Sequence, residues 1–284
     1  MALVVNSNIF SANAQRNLTR SSGDLQTSLQ RLSSGLRINS AKDDAAGQFS
    51  VETLTADIRG VNQAIRNAGD GISLVQTAEG ALGQITNNLQ RVRELAVQSA
   101  SGTIEDRTGL QAEVDQLTQE VSRIVATTNF NGVSLLSAAG AGSALTFQIG
   151  QDGNTNNQVT VQLTAGTGSI SSVAGVTTNL TGTNTVAIST AAAASAALAG
   201  LDTAINTLSQ KRAVFGAVQN RFEAVISNLS NFSENLSAAR SRIQDADFAA
   251  ETAKLTRAQI LQQAGISILS QANQIPNQAL SLLQ

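Results

Sequence analysis

Apolar residues in this chain recur at helical spacing over most of its length. Leu18, Leu25, Leu29, Leu32 and Leu36 step by seven, four, three and four, a pattern that lines one face of an α-helix. A longer series runs through Ile58, Val61, Ile65, Ala68, Ile72, Val75, Ala78, Leu82, Ile85, Leu89, Val92 and Ala96. Its steps alternate between three and four, with an extra three at Ala78 that resembles a stammer. After a break at Ser101-Gly102, Thr103 with Asp106 three residues on predicts a new helix start. Leu110, Val114, Leu117, Val121 and Ile124 then carry the stripe onward. Toward the C-terminus, Leu201, Leu208, Phe215, Phe222, Leu229 and Leu236 stand seven apart, beside a second row of Val218, Val225 and Phe232. Leu261, Ile268 and Ile275 repeat once more, flanked by Ala272 and Ala279. The pattern predicts four or five long helices.

The middle of the chain breaks this period. Leu145-Thr-Phe-Gln-Ile149 and Val159-Thr-Val-Gln-Leu163 alternate apolar with polar residues across a Gly- and Asn-rich turn, which predicts a β-hairpin near 145–163. From about 164 to 200 the sequence is mostly Gly, Ala, Ser and Thr, expected to form a small exposed appendage centred on 166–195. The expected fold class is mainly α: long helices forming a coiled-coil-like rod and a terminal helical pair, with a small β-hairpin element in the middle. The expected domains are 1–44 plus 240–284 as a terminal helical domain, and 45–165 plus 196–239 as the rod.

Composition sharpens this picture. Aromatics are 3% of the 284 residues, Trp and Tyr are absent, and Pro276 is the single proline. A core of Leu, Ile, Val and Ala suits helices packed side by side, and a chain nearly free of proline is permitted to be mostly helix. The absence of His and Cys excludes His-dependent triads, imidazole general bases and the common zinc sites. The chain is therefore expected to be no enzyme, with no cofactor and no metal. Its net charge of −2 leaves no basic footprint for nucleic acid. No apolar run reaches the ~20 residues of a membrane span, and the start lacks the charged leader and long apolar core of a secretory signal peptide.

Charge is distributed unevenly. Residues 1–15 and 258–284 hold no Asp, Glu, Lys or Arg, and between 138 and 201 the only charge is Asp152. The terminal stripes are apolar enough to demand burial, yet no charged opposite face keeps them soluble alone. Pairing of the two ends, followed by packing against other copies, resolves this; Leu18, Leu25, Leu29, Leu32, Leu36, Leu261, Ile268 and Ile275 are the expected self-assembly stripes. A long intramolecular bundle fits the same heptads, which do not count chains.

Specific motifs narrow the reading. Leu32-Ser-Ser-Gly-Leu-Arg-Ile-Asn-Ser-Ala-Lys-Asp-Asp-Ala-Ala-Gly47 and Asn87-Asn-Leu-Gln-Arg-Val-Arg-Glu-Leu-Ala-Val-Gln-Ser99 closely resemble signatures of bacterial flagellins. Asn67-Ala-Gly-Asp-Gly-Ile-Ser73, Asn129-Phe-Asn-Gly132 and the stretch from Ala272 to Gln284 match as well, although the chain ends in Gln where Arg is frequent. The resemblance covers approximately 1–165 and 200–284. It implies a structural subunit that polymerises with itself into the extracellular flagellar filament for swimming motility. It further implies export, unfolded, through the flagellar type III apparatus with a chaperone, and encounters with cap and hook-junction proteins. A hook–filament junction protein sharing the terminal helices is the alternative. By the same resemblance, host Toll-like receptor 5 would contact Arg91 as a charged hot spot, Leu95 as an apolar knob and Glu113 as a neighbouring acid.

Weaker signals have plainer readings. Asp152-Gly-Asn-Thr-Asn156 imitates half of an EF-hand loop, but position six is Asn157 and position twelve Leu163, so the bidentate glutamate is missing. Asp43-Asp44 and the Asp245/Asp247 pair are expected to be helix caps or surface charges, since neighbours one or two apart do not share a helix face.

Overall fold

The structure is a computed structural model that describes residues 8–136, 145–161 and 186–281. Five long helices dominate the described residues: α1 (Ile9–Ser34), α2 (Ala45–Ser99), α3 (Thr108–Thr127), α4 (Ala191–Gln244) and α5 (Phe248–Ser281). Two small antiparallel ribbons accompany them, β1 (Asn129–Phe130) with β2 (Val133–Ser134), and β3 (Leu145–Gln148) with β4 (Gln158–Val161). The fold is mainly α, as the periodicity predicts. The chain divides into two compact units, 1–58 with 234–284 and 59–233, and the division falls inside α2 and α4.

In the first unit, local chemistry fixes where each helix starts and stops. Asn8 caps α1 by accepting a hydrogen bond from the Ser11 N–H at 3.0 Å. Gly35 ends the helix in the left-handed region (φ 74°), which glycine enters without steric cost. Leu36 therefore lies beyond the helix, in an isolated bridge with Asp245, and does not continue the leucine stripe. Asp44 accepts from the Ala46 and Gly47 N–H groups at the start of α2, and Asp247 from Ala249 and Ala250 at the start of α5. Both aspartates act as N-caps, satisfying donors a helix cannot satisfy itself. Arg37 N–H and Ile38 N–H donate to the Gln244 carbonyl, and Ala246 N–H to that of Gly35, tying the two turns together.

The second unit is a three-helix packing with a substantial core. α2 and α4 run antiparallel, as Arg93–Asp202 (2.6 Å) and Arg212–Glu79 (3.6 Å) show. Leu82, Ile85 and Leu89 of α2 meet Leu201, Leu208, Phe215 and Phe222 of α4, all buried, while Val114 and Val121 supply the α3 face. Phe222 lies against Gly71, where an added Cβ would come within 2.7 Å of the ring. The Phe147 ring meets Phe222 edge to face at 5.6 Å, an arrangement that favours the aromatic quadrupoles. This contact seats the β3–β4 hairpin on the core, and Asn67 pins it by donating to the Gln148 carbonyl at 2.9 Å. The Ala78 stammer leaves α2 unbroken.

Three expectations shift. The helix after the Ser101-Gly102 break starts at Thr108, because Asp106 accepts from the Thr108 N–H and hydroxyl. The β1–β2 ribbon was missed although its Asn131-Gly132 turn carries positive φ at both residues, 49° and 79°, the signature of a tight hairpin. Most of the expected appendage, 166–185, lies outside the described residues, as do Gln162 and Leu163 of the hairpin. Its remainder, 186–195, is no exposed appendage. Val186 and Ile188 are buried, Gln111 donates to the Val186 carbonyl and accepts from the Ile188 N–H, and α4 begins at Ala191.

Candidate functional site

The first unit pairs α1 with α5, antiparallel. Asn8 Nδ2 donates to the Ala272 carbonyl at 2.8 Å near one end, and Ser28 Oγ to Glu251 Oε1 at 2.7 Å near the other. Between these anchors, the buried residues of α1 are Ala14, Ser21 and Ser28, seven apart; Glu251, Ala258 and Ala272 are the buried ones among the described side chains of α5. Gly265 completes that second row, and an added Cβ there would meet Leu18 at 3.3 Å. Apart from Glu251, the fully buried positions of the seam are small side chains, which let two backbones approach closely, with Leu18, Leu25, Leu32, Leu255 and Leu269 half-buried.

Several large apolar residues of the pair face solvent instead. Leu261 is 53% exposed and Ile268 58%; Ile9, Phe10, Leu29, Ile260 and Ile266 are also exposed. Leu18, Leu25 and Leu32 are half-buried at the seam's margin. Sequence reasoning assigned Leu261 and Ile268 to a stripe without saying which face they occupy. The structure puts them outside, while Ile275 has its side chain outside the described residues. The small-residue rows were missed, although Ala14-Ser21-Ser28 and Glu251-Ala258-Gly265-Ala272 keep a seven-residue period that could have been counted.

Glu251 is the one carboxylate buried among the described residues, at 5% exposure. Burial pushes its carboxyl upward. The Ser28 hydroxyl, Lys254 Nζ at 3.1 Å and the positive field of Arg31 outweigh that, holding it below its ordinary value of 4.5. Three cavities line the groove beside the seam, of 260, 350 and 420 Å³.

On the second unit, Arg91 of α2 lies among carboxylates. Its Nε donates to Glu113 of α3 at 2.8 Å and its Nη1 to Glu94 at 3.1 Å, and the Arg91 and Glu113 side chains are 50% and 43% exposed. Glu113 first and then Glu94 hold the guanidinium more firmly protonated than usual. Leu95 is a correction: it is 1% exposed and belongs to the core between the helices, so it presents no knob at the surface. The same helical period that puts Arg91 outside turns Leu95 inward with Val92 and Ala96. Val97 is the exposed apolar neighbour.

A long helical unit with a solid core, joined in sequence to a helix pair whose large apolar residues face outward, defines a structural protein of polymeric assemblies. Family comparison agrees. The bacterial flagellin N-terminal helical region matches residues 5–141, and the bacterial flagellin C-terminal helical region matches 198–283. The chain belongs to the bacterial flagellin family and is a structural subunit of the flagellar filament, not an enzyme. A flagellin of Halalkalibacterium halodurans is 42% identical over 293 residues, covering 99% of this chain and all of that one. Flagellin A of Vibrio cholerae is 36% identical over 381 residues, with both chains covered completely. A solved putative flagellar hook-associated protein from Vibrio parahaemolyticus shares the fold, with a TM-score of 0.57 at 13% identity over 72% of this chain and all of that one. Flagellin forms the extracellular flagellar filament, and among the described residues no helix is long and apolar enough to cross a membrane.

Proposed function

We propose that the α1–α5 pair is the assembly element of the filament, and that other copies of the chain cover its outward apolar residues. One observation carries this reading: the buried side chains of the pair are Ala, Ser and one Glu, while Leu261, Ile268 and Phe10 are left to solvent. A large apolar surface left uncovered marks a site of association. The chargeless ends also suit passage in unfolded form through the flagellar type III export apparatus with a chaperone, since few large apolar side chains are fully buried between α1 and α5 to resist unfolding. Cap and hook-junction proteins would meet the same helices. To test the assembly role, the chain trimmed to residues 45–247 is compared with the full chain by electron microscopy and sedimentation. The full chain should give filaments and the trimmed chain only soluble subunits; equal polymerisation of both would end this reading.

We also propose that the Arg91–Glu113 surface binds host Toll-like receptor 5. Its support is an exposed guanidinium already oriented by two carboxylates, a type of residue that dominates interface energies. Arg91→Ala should lower receptor affinity by about tenfold or more, the size expected of a hot spot. Leu95→Ala should act chiefly through a lower melting temperature. Undiminished binding by Arg91→Ala would refute the assignment.

A further inference from the structure

One cavity of the α1–α5 groove has an electrostatic imbalance that assembly through this pair does not itself explain. The 260 Å³ cavity is lined by three cations, Arg31, Lys254 and Arg257, against two carboxylates, Asp24 and Glu251. Glu251 is already engaged, by Ser28 Oγ at 2.7 Å and Lys254 Nζ at 3.1 Å. Arg31 makes no ion pair and no side-chain hydrogen bond among the described residues, and its Nε is shielded from solvent with no partner. A guanidinium carries five N–H donors in a planar fork that fits a carboxylate with two parallel hydrogen bonds. A shielded donor without an acceptor is unfavourable; among the residues lining the cavity cations outnumber carboxylates three to two, with Asp43, outside that lining, also within the field of Arg31.

The position of the cavity says what completes it. Asp24, Ser21 and Leu261 also line the next cavity, and Asn17 and Ile268 are shared between that one and the third. The three form one trough from Arg31 to Phe10, about 30 Å long by the helical rise. Beyond its charged end the wall carries Ile268 and Phe10 among Asn13, Asn17, Gln271 and Gln274; an occupant of helix size would cover that length, whereas a small free anion would fill one end.

We propose that this cavity is a socket for a carboxylate of a second copy of the chain, which pairs with the Arg31 fork as a helix of that copy settles into the trough. The proposal rests on the α1–α5 pair being the assembly element. Exposed carboxylates without an ion pair are present on the first unit itself, Glu234 among them.

The test measures the critical subunit concentration for polymerisation of the full chain and of Arg31→Ala at low salt, with Arg16→Ala as an exposed control outside the trough. Arg31→Ala should raise that concentration about tenfold, the effect of losing a charge-assisted pair, and added salt should narrow the gap. Arg16→Ala should behave as the unaltered chain. Polymerisation of Arg31→Ala at the unaltered concentration in low salt would overturn the socket. If Arg31→Ala instead unfolds the pair, carbodiimide coupling gives an independent reading on the unaltered chain. Filaments grown from mixed isotope-labelled and unlabelled chains should yield a Lys254 amide to a carboxylate of another copy, absent from free subunits. Lys254 coupling only to Glu251 of its own chain would equally overturn the socket. A trimmed chain that polymerises defeats the assembly reading itself; a trimmed chain that does not, beside an unaffected Arg31→Ala, defeats the socket alone.

Discussion

The core around Phe222 and the α1–α5 pair are both antiparallel helix packings with seven-residue periods, yet they bury opposite kinds of side chain. In the second unit, Phe215, Phe222, Leu82, Ile85 and Leu89 lie inside, so its stability comes from apolar area removed from water within one chain. In the pair, Ala14, Ser21, Ser28, Ala258 and Ala272 lie inside, and Phe10, Leu261 and Ile268 lie on the surface. The difference assigns two tasks. The second unit has an apolar core of its own, while the pair leaves large apolar side chains exposed, which is what the proposed assembly role would use.

The comparison predicts where substitutions strike. Phe222→Ala should show the largest effect on the subunit, destabilising it by about 3–5 kcal/mol, because it removes a fully buried ring and leaves a cavity beside Gly71 and Phe147. Thermal unfolding of the free chain reports it, and a loss below that range would mean that the core collapses to fill the gap.

Acid should reach the pair next. Glu251 has a folded value depressed below 4.5, so its contribution is fully present above 4.5 and is lost as pH falls through that lower folded value. Ser28→Ala removes one of the hydrogen bonds that depress it and brings the folded value back toward 4.5, so the stability lost to acid should be smaller. Protease cleavage within α1 and α5, followed against pH, measures that loss; an acid loss of unaltered size would show that Ser28 does not set the Glu251 charge.

The smallest effect on the subunit is expected from Leu261→Gln with Ile268→Gln. At exposed positions these should change unfolding by no more than roughly 0.5 kcal/mol while strongly reducing filament yield in sedimentation. A large drop in the melting temperature of the free chain would erase the contrast between the two units.

Much of this architecture was legible in the residues. The three-and-four steps from Ile58 to Ala96 place α2, the seven-step row from Leu201 to Phe222 places the buried face of α4, and the alternation around Phe147 and Val159 places the hairpin. Each is a period that the backbone imposes and any reader can count. What escaped was of two kinds: the local Asn131-Gly132 turn, which lies inside a family motif, and the long-range Gln111 grip on Val186 and Ile188, which has no local pattern at all.

The sequence by itself determined that this is a helical, His-free and Cys-free chain with chargeless apolar ends, because composition and period are local properties of the covalent chain. Only the tertiary structure decided which side of each stripe faces inward. Close approach of α1 and α5 at Ala14, Ser21 and Gly265 turns Leu261 and Ile268 outward, and packing of α3 on α2 takes Leu95 inside while leaving Arg91 out. A heptad shows that a face will be covered; the size of the side chains on the opposing helix decides what covers it.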